Sequence, residues 1–312
     1  MAYDYNQRTN YLYQGEIYGT YWKISSKEFI NQQYLDEVVN ILNKIDLIAS
    51  NYKPNSEVNK LNFYETGNEF LLSDDLYEIF KLAFDVSKKT NGVYDITVGS
   101  VVNNLGFGPN LFLDNQYVFE PYSLKFSIND SNKSITKYKD LVFDLSSIAK
   151  GFAVDAVSNY LLANNFNNYL IDIGGEIAAN GSSKTGLWTI GIQDPQLLRQ
   201  KASFTVPNSN NFIGVATSGD YLNFKYIDGQ LVSHSIDPRT IKSKDNNILS
   251  VTVLDEISVA RADAFATAFN VMNLDESIEI SESLNLKIKI IYISDGLIKY
   301  FESKSWQNIK YD

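Results

Sequence analysis

The chain has 312 residues, 44% of them hydrophobic and 21% charged, as in ordinary soluble globular proteins with a proper core. Its 37 Asp and Glu outweigh 27 Lys and Arg, giving a formal charge of −10. With no concentrated basic stretch, that balance excludes nucleic acid or a polybasic membrane surface as the main partner. No cysteine and one histidine rule out disulfides, iron–sulfur clusters, thiolate zinc sites and a His-rich zinc site.

Residues 15–24 read as a strand, and apolar residues at three- and four-residue spacing (Ile30, Tyr34, Val38, Ile41, Ile45, Ile48) predict a helix over 27–49. Ser73 is the expected N-cap of a second helix, 74–89, which stops near Asn91-Gly92. The polar stretch 110–140 reads as an excursion carrying two short strands. A strand at 141–145, a helix at 149–163 and a strand at 169–173 ending at Gly174-Gly175 follow. Further strands are expected at 187–193, 211–217, 222–227, 230–236 and 248–254. Helices at 259–272 and 275–284, then strands at 287–293 and 297–301, complete the pattern. The mixture is α+β or α/β with much antiparallel pairing. With no repeat, low-complexity tract or clear linker, residues 1–312 read as one compact unit, 1–14 being an N-terminal extension.

No apolar run approaches the roughly 18–20 residues of a spanning helix. The start, Met-Ala-Tyr-Asp-Tyr-Asn, is not a secretory signal and reads either as a native cytoplasmic start or as a replacement for an export segment.

Five segments are richer in Gly, Asp, Ser and Thr than a core requires. The first is Tyr94-Asp95-Ile96-Thr97-Val98-Gly99 with Asn103 to Gly108, where glycines allow close backbone approach or simply make a turn. In the second, Asp144 to Gly151, a strand-to-helix junction offers free N–H groups to an anion. There Lys150 adds positive charge and Asp144 can accept hydrogen bonds. A plain helix start capped by Ser146 or Ser147 is the alternative. The third is Asp172 to Glu176, a Gly-Gly turn.

The fourth is Ala216 to Asp220, close before Ser-His-Ser-Ile-Asp-Pro-Arg-Thr (233–240). His234 has the unperturbed pKa best suited to proton transfer near neutrality, though a lone structural histidine is the plainer reading. Asp237 is placed to orient its imidazole, and Arg239 to pair with a phosphate. In the fifth, a helix over 260–270, Asp263 and Thr267 are four apart and share a face. A carboxylate and a hydroxyl suit a hard cation such as Mg²⁺, and the alternative is an Asp complementing the helix dipole.

Taken together, GTYWKI, YKPNSEVNKLN, YDITVG with NNLGFG, DLSSIAKG, DIGGEI-AANG, ATSGDY, HSIDPRT and ARADAFATA resemble the ApbE family of flavin transferases, from about residue 15 to 300. The resemblance implies an α+β, T-fold-related architecture of mixed sheets with packed helices, in two intimately associated lobes. It implies a Mg²⁺-dependent FAD:protein FMN transferase that attaches FMN to a Thr or Ser of an acceptor protein and releases AMP. The alternatives are a Mg²⁺-dependent FAD pyrophosphatase and a non-catalytic flavin-binding protein. By resemblance, Asp263 and Thr267 are metal ligands, helped by backbone oxygens of Ser147 and Ala266. Tyr52 occupies an FAD-contacting position, and Tyr18, Tyr94, Asp95, Asp144, Lys150 and Ile236 fall at or near others. His234 matches the base for the acceptor hydroxyl. Relatives often have Gly where this chain has Ile241, and Met where it has Tyr18. Many are lipoproteins on the outer face of the cytoplasmic membrane, which makes a lipid anchor outside the given sequence the expectation here.

Overall fold

The computed structural model describes residues 9–109, 117–193, 201–205, 211–219, 224–227, 230–233 and 235–309. The chain opens with a hairpin, β1 (Tyr11–Ile17) and β2 (Thr20–Ser26), where sequence periodicity predicts one strand. Tyr18 and Gly19 turn the chain with φ of 54° and 70°, the pair of positive values a two-residue hairpin favours. β1 also claims residues 11–14 from the expected extension.

α1 (Gln32–Ala49) begins later than periodicity predicts. The amides before it are committed elsewhere: Lys27 N donates to Asn168 O, Glu28 N to Ser26 Oγ, and Ile30 N to the Tyr13 hydroxyl at 2.8 Å. A short α2 (Glu57–Phe63), capped by Ser56, escapes the periodicity reading, as does β3 (Glu69–Leu71). α3 (Asp74–Lys89) starts as expected at Ser73, whose hydroxyl accepts from Leu76 N. Acidic residues in its first turn and Lys88 and Lys89 in its last complement the helix dipole.

A short α4 (Gly99–Asn104) follows, and the polar excursion yields β4 (Phe126–Asn129) and β5 (Ser134–Lys137), which with β3 form a small sheet. The segment 141–145, expected as a strand, forms only the isolated parallel bridge Val98–Val142. Side-chain amides stand in for a neighbouring strand. Asn62 accepts from Phe143 N at 2.7 Å, Asn51 accepts from Leu145 N at 3.1 Å, and both donate to Phe143 O.

α5 (Ala149–Ala163), β6 (Tyr169–Ile173) and β7 (Glu176–Asn180) lead to β8 (Thr189–Gln193) and β9 (Lys201–Thr205), a separate pair. β10 (Ile213–Gly219) precedes the pairs β11 (Phe224–Ile227) with β12 (Gln230–Ser233) and β13 (Ile236–Asp237) with β14 (Lys242–Ser243). The chain ends with β15 (Ile248–Asp255), α6 (Val259–Val271), α7 (Leu274–Ser283), β16 (Lys287–Ser294), β17 (Leu297–Glu302) and α8 (Lys304–Gln307).

The organising element is an eight-stranded antiparallel sheet in the order β1-β2-β6-β7-β10-β15-β16-β17. One core packs α3 and α6 against β15 and β16 through Phe80, Phe265, Phe269, Val253 and Ile290. Another packs Trp22, Ile24 and Ile171 against α1 and α5. A third holds Trp188, Ile190, Val215, Leu254 and Trp306. The architecture is the expected mixture of antiparallel sheets and packed helices.

Candidate active site

The site forms where the starts of α5 and α6 meet. A Cβ on Gly151 would lie 2.6 Å from Ala260 Cα, so only glycine lets the two helices approach this closely. That approach places Asp263 of α6 over the first turn of α5, where its Oδ2 accepts from Gly151 N at 3.3 Å. α5 has no side-chain cap from Ser146 or Ser147, which removes the plain-cap reading of this junction. Instead Asp144 accepts from Ser146 N at 2.8 Å, and Ser147 Oγ bonds the Tyr94 hydroxyl at 3.0 Å. α6 is held from α5 as well. The Asp155 carboxylate accepts from Ser258 Oγ (2.6 Å), Val259 N (2.7 Å) and Ala260 N (3.0 Å).

Asp263 is enclosed, and burial together with nearby Glu176 holds its carboxyl well above the usual carboxylate range. Glu176, the first residue of β7, forms an ion pair with Lys150 at 2.6 Å. Burial raises the Glu176 carboxyl despite that partner. For Lys150, burial would lower the ammonium, but Glu176 and Asp263 outweigh it and the group is raised. Lys150 is therefore a firmly charged cation with a carboxylate already beside it.

Asp95 is saturated by the protein. Its Oδ1 accepts from Thr97 N (2.8 Å) and Thr97 Oγ1 (2.7 Å). Its Oδ2 accepts from the Tyr117 hydroxyl (2.6 Å) and Lys125 Nζ (2.7 Å). Four donors fill the sites a carboxylate offers, so Asp95 serves the wall of the site through structure. Lys125 is 1% exposed and also lies 4.5 Å from the Tyr117 ring centroid.

A cavity of about 720 Å³ gathers most of the sequence-predicted residues: Tyr94, Asp95, Asp144, Ser147, Lys150, Ile236, Asp263 and Thr267 all line it. Glu176 and Tyr21 line it too; both lie in marked motifs, but sequence assigns neither a role, because a strand-end Glu and an alternating strand Tyr carry no spacing signal. Ala266 is buried on α6 beside Thr267. Tyr52 lies outside the lining and is 65% exposed, its hydroxyl donating to Phe107 O at 2.8 Å.

Two predicted contacts go elsewhere. Tyr18 turns the β1–β2 hairpin and donates to Leu42 O at 2.8 Å on α1, so it packs that hairpin and does not line the cavity. Arg239, read as a phosphate partner, is engaged by carboxylates. Its Nε and Nη2 reach Asp237 (3.0 and 2.9 Å) and its Nη1 reaches Glu276 at 2.9 Å. His234 lies outside the described residues, and so does any link from Asp237 to it.

Residues 18–292 match the family model described as the ApbE family. The chain is 32% identical over 279 residues to the FAD:protein FMN transferase of Vibrio cholerae, covering 87% of this chain and 83% of that protein. It is 34% identical to the protein of the same name from Haemophilus influenzae, over 84% of this chain and 79% of that one. The solved flavin transferase ApbE from Vibrio cholerae superposes with a TM-score of 0.84 at 29% identity, over 96% of this chain and 99% of that one. The apo flavinyl transferase ApbE of Pseudomonas stutzeri superposes with a TM-score of 0.83 at 26% identity, over 96% of each chain. With the family model spanning most of its length and a cavity built from the family's motifs, this chain belongs to the ApbE family.

Proposed function

We propose that this enzyme is an FAD:protein FMN transferase, using Mg²⁺ and moving FMN onto a Thr or Ser hydroxyl of an acceptor protein. The observation that carries this reading is the single cavity joining Asp144, Ser147, Lys150, Asp263 and Thr267 to the turn at Ile236. Its size falls within the roughly 300–1,000 Å³ of small-molecule sites.

In the transfer, the acceptor oxygen bonds to the FMN-side phosphorus as the bond from that phosphorus to the bridging oxygen breaks. AMP leaves with that oxygen, and the hydroxyl proton passes to a base. The resemblance assigns that base to His234. The residues present fit a hard cation. Asp263 is a buried carboxylate raised by burial and by a second carboxylate, so it gains from a positive charge beside it. Among the described residues no three Asp, Glu, His or Cys side chains cluster to cage a metal. By resemblance the donors are the Asp263 carboxylate and Thr267 hydroxyl with backbone oxygens of Ser147 and Ala266, a partial oxygen set of the kind Mg²⁺ completes with water and phosphate oxygens. Mg²⁺ bound there supplies charge neutralisation at the pyrophosphate. Lys150 adds a positive charge on the same wall.

The proposal includes a lipid anchor on the outer face of the cytoplasmic membrane, supported by the resemblance. Among the described residues no helix is long and apolar enough to cross a membrane. The experiment is incubation with FAD, Mg²⁺ and a flavin-acceptor domain, read by intact mass. An acceptor gaining the mass of FMN less water supports transfer. Rapid FMN release with an unmodified acceptor supports the pyrophosphatase instead.

A further inference from the structure

The cavity lining is chemically mixed. Asp144, Lys150, Asp263 and Thr267 contribute charged and polar groups, whereas Ile177, Ile190, Gly191 and Ile192 contribute apolar surface. Tyr21 also lines the cavity and keeps 37% of its surface exposed, although it sits in a strand. On β2, Trp22 and Ile24 are buried in the core with α1 and α5, so the intervening Tyr21 and Lys23 face the opposite side of the sheet.

The ring is fixed from two directions. Its hydroxyl donates to Asp172 Oδ2 at 3.1 Å, and Asp172 is itself anchored because its Oδ1 accepts from Gly175 N at 3.0 Å. The Lys23 ammonium lies 4.5 Å from the ring centroid and draws on its π-electrons. Burial and Asp172 push the phenol up to about 12, so it stays neutral and donating through the working pH range. An aromatic ring held at both hydroxyl and one face, in a cavity whose lining is partly apolar, is pre-organised for a flat partner.

We propose that Tyr21 is a stacking platform for one heteroaromatic ring of the flavin dinucleotide, held in place by Asp172 and Lys23. This rests on the flavin-transferase reading above. Two rings of the same substrate share the required chemistry, isoalloxazine and adenine, and the test separates them.

Binding of FMN, followed by flavin fluorescence, and of ADP, followed by calorimetry, is measured in Mg²⁺ for wild type, Tyr21→Ala and Tyr21→Phe, with thermal melting of each. Tyr21→Ala is expected to weaken one of the two ligands by roughly 10-fold or more while Tyr21→Phe retains it. Loss of FMN places isoalloxazine on Tyr21; loss of ADP places adenine there. If Tyr21→Ala fails to fold, Tyr21→Leu keeps apolar bulk without the π-face and carries the same expectation. Unchanged binding of both ligands in a folded variant overturns the stacking role and leaves the transferase reading intact. Equal loss of both ligands, with Tyr21→Phe affected alike, signals a collapsed site and also overturns it. Wild type binding neither ligand overturns the flavin reading and the platform with it.

Discussion

Asp263 on α6 lies across the first turn of α5, accepting from the Gly151 amide, so a buried carboxylate and a helix N-terminus face each other inside the cavity. The pairing depends on close helix contact, and the contact depends on one glycine. Each part can be perturbed separately.

Replacing Gly151 by Ala puts a Cβ within 2.7 Å of Ala260 N and Val259 O, both backbone atoms that no rotamer change can move. The two helices must separate, at a cost of about 1–3 kcal/mol typical of overpacking. Urea unfolding should show that loss. FAD cleavage should fall further than stability, because Asp263 moves with its helix.

Asp263→Asn keeps the volume and removes the charge. Metal-dependent FAD cleavage should be abolished. Metal-free protein should melt no lower than wild type, since the substitution removes a carboxylate that burial disfavours. A variant that cleaves FAD at the wild-type rate would sink the metal-ligand assignment.

Asp155 gives a pH dependence with a definite sign. Burial raises its carboxyl from 3.8 to about 6, against hydrogen bonds from Ser258, Ala260 and Val259 that lower it. A carboxyl raised in the folded state contributes stability that is fully present below the unfolded value and is lost as pH rises through the folded one. Stability from this group should therefore decline between about pH 4 and 6, by on the order of 2–3 kcal/mol. Denaturation midpoints measured across that window should show the decline, and Asp155→Asn should remove it. An unchanged slope in the variant would assign the dependence to other groups.

Lys125 and Asp95 are both almost fully buried, a pair in which loss of either partner strands a charge. Lys125→Met should destabilise the protein by about 3–5 kcal/mol. Adding Asp95→Asn should recover much of that loss, and a double-mutant cycle measures the coupling. Purely additive losses would mean that the two side chains act independently.

Local signals explain how much of this was legible in the sequence. Ser73 with its acidic first turn marked α3 correctly, and the Asp263 and Thr267 spacing marked a cavity-facing stretch of α6. The Asp144 to Gly151 junction also proved to line the site. What stayed hidden is non-local. Asn51 and Asn62 replace a strand partner for the 141–145 segment from more than 80 residues away, and no period records that. Lys125 reads as a surface cation in a polar stretch until Asp95 and Tyr117 close around it. Arg239 likewise reads as free for phosphate because its second carboxylate, Glu276, comes from α7.

Ile241 shows where the fold overrides residue preference. The turn after Asp237-Pro238-Arg239-Thr240 needs a left-handed residue, and Ile241 adopts φ of 59° with its amide donating to Asp237 O at 2.9 Å. A β-branched side chain pays about 1–2 kcal/mol there relative to glycine, and 45% exposure returns little of it through burial. The turn thus takes the left-handed shape that glycine adopts most readily. Ile241→Gly should relieve the strain but give the unfolded chain more freedom, which offsets roughly 1 kcal/mol of the gain. The net expectation is a stability between unchanged and about 1 kcal/mol higher, measured by urea unfolding. A clear loss of stability would show that the Ile241 side chain makes packing contacts worth more than the strain.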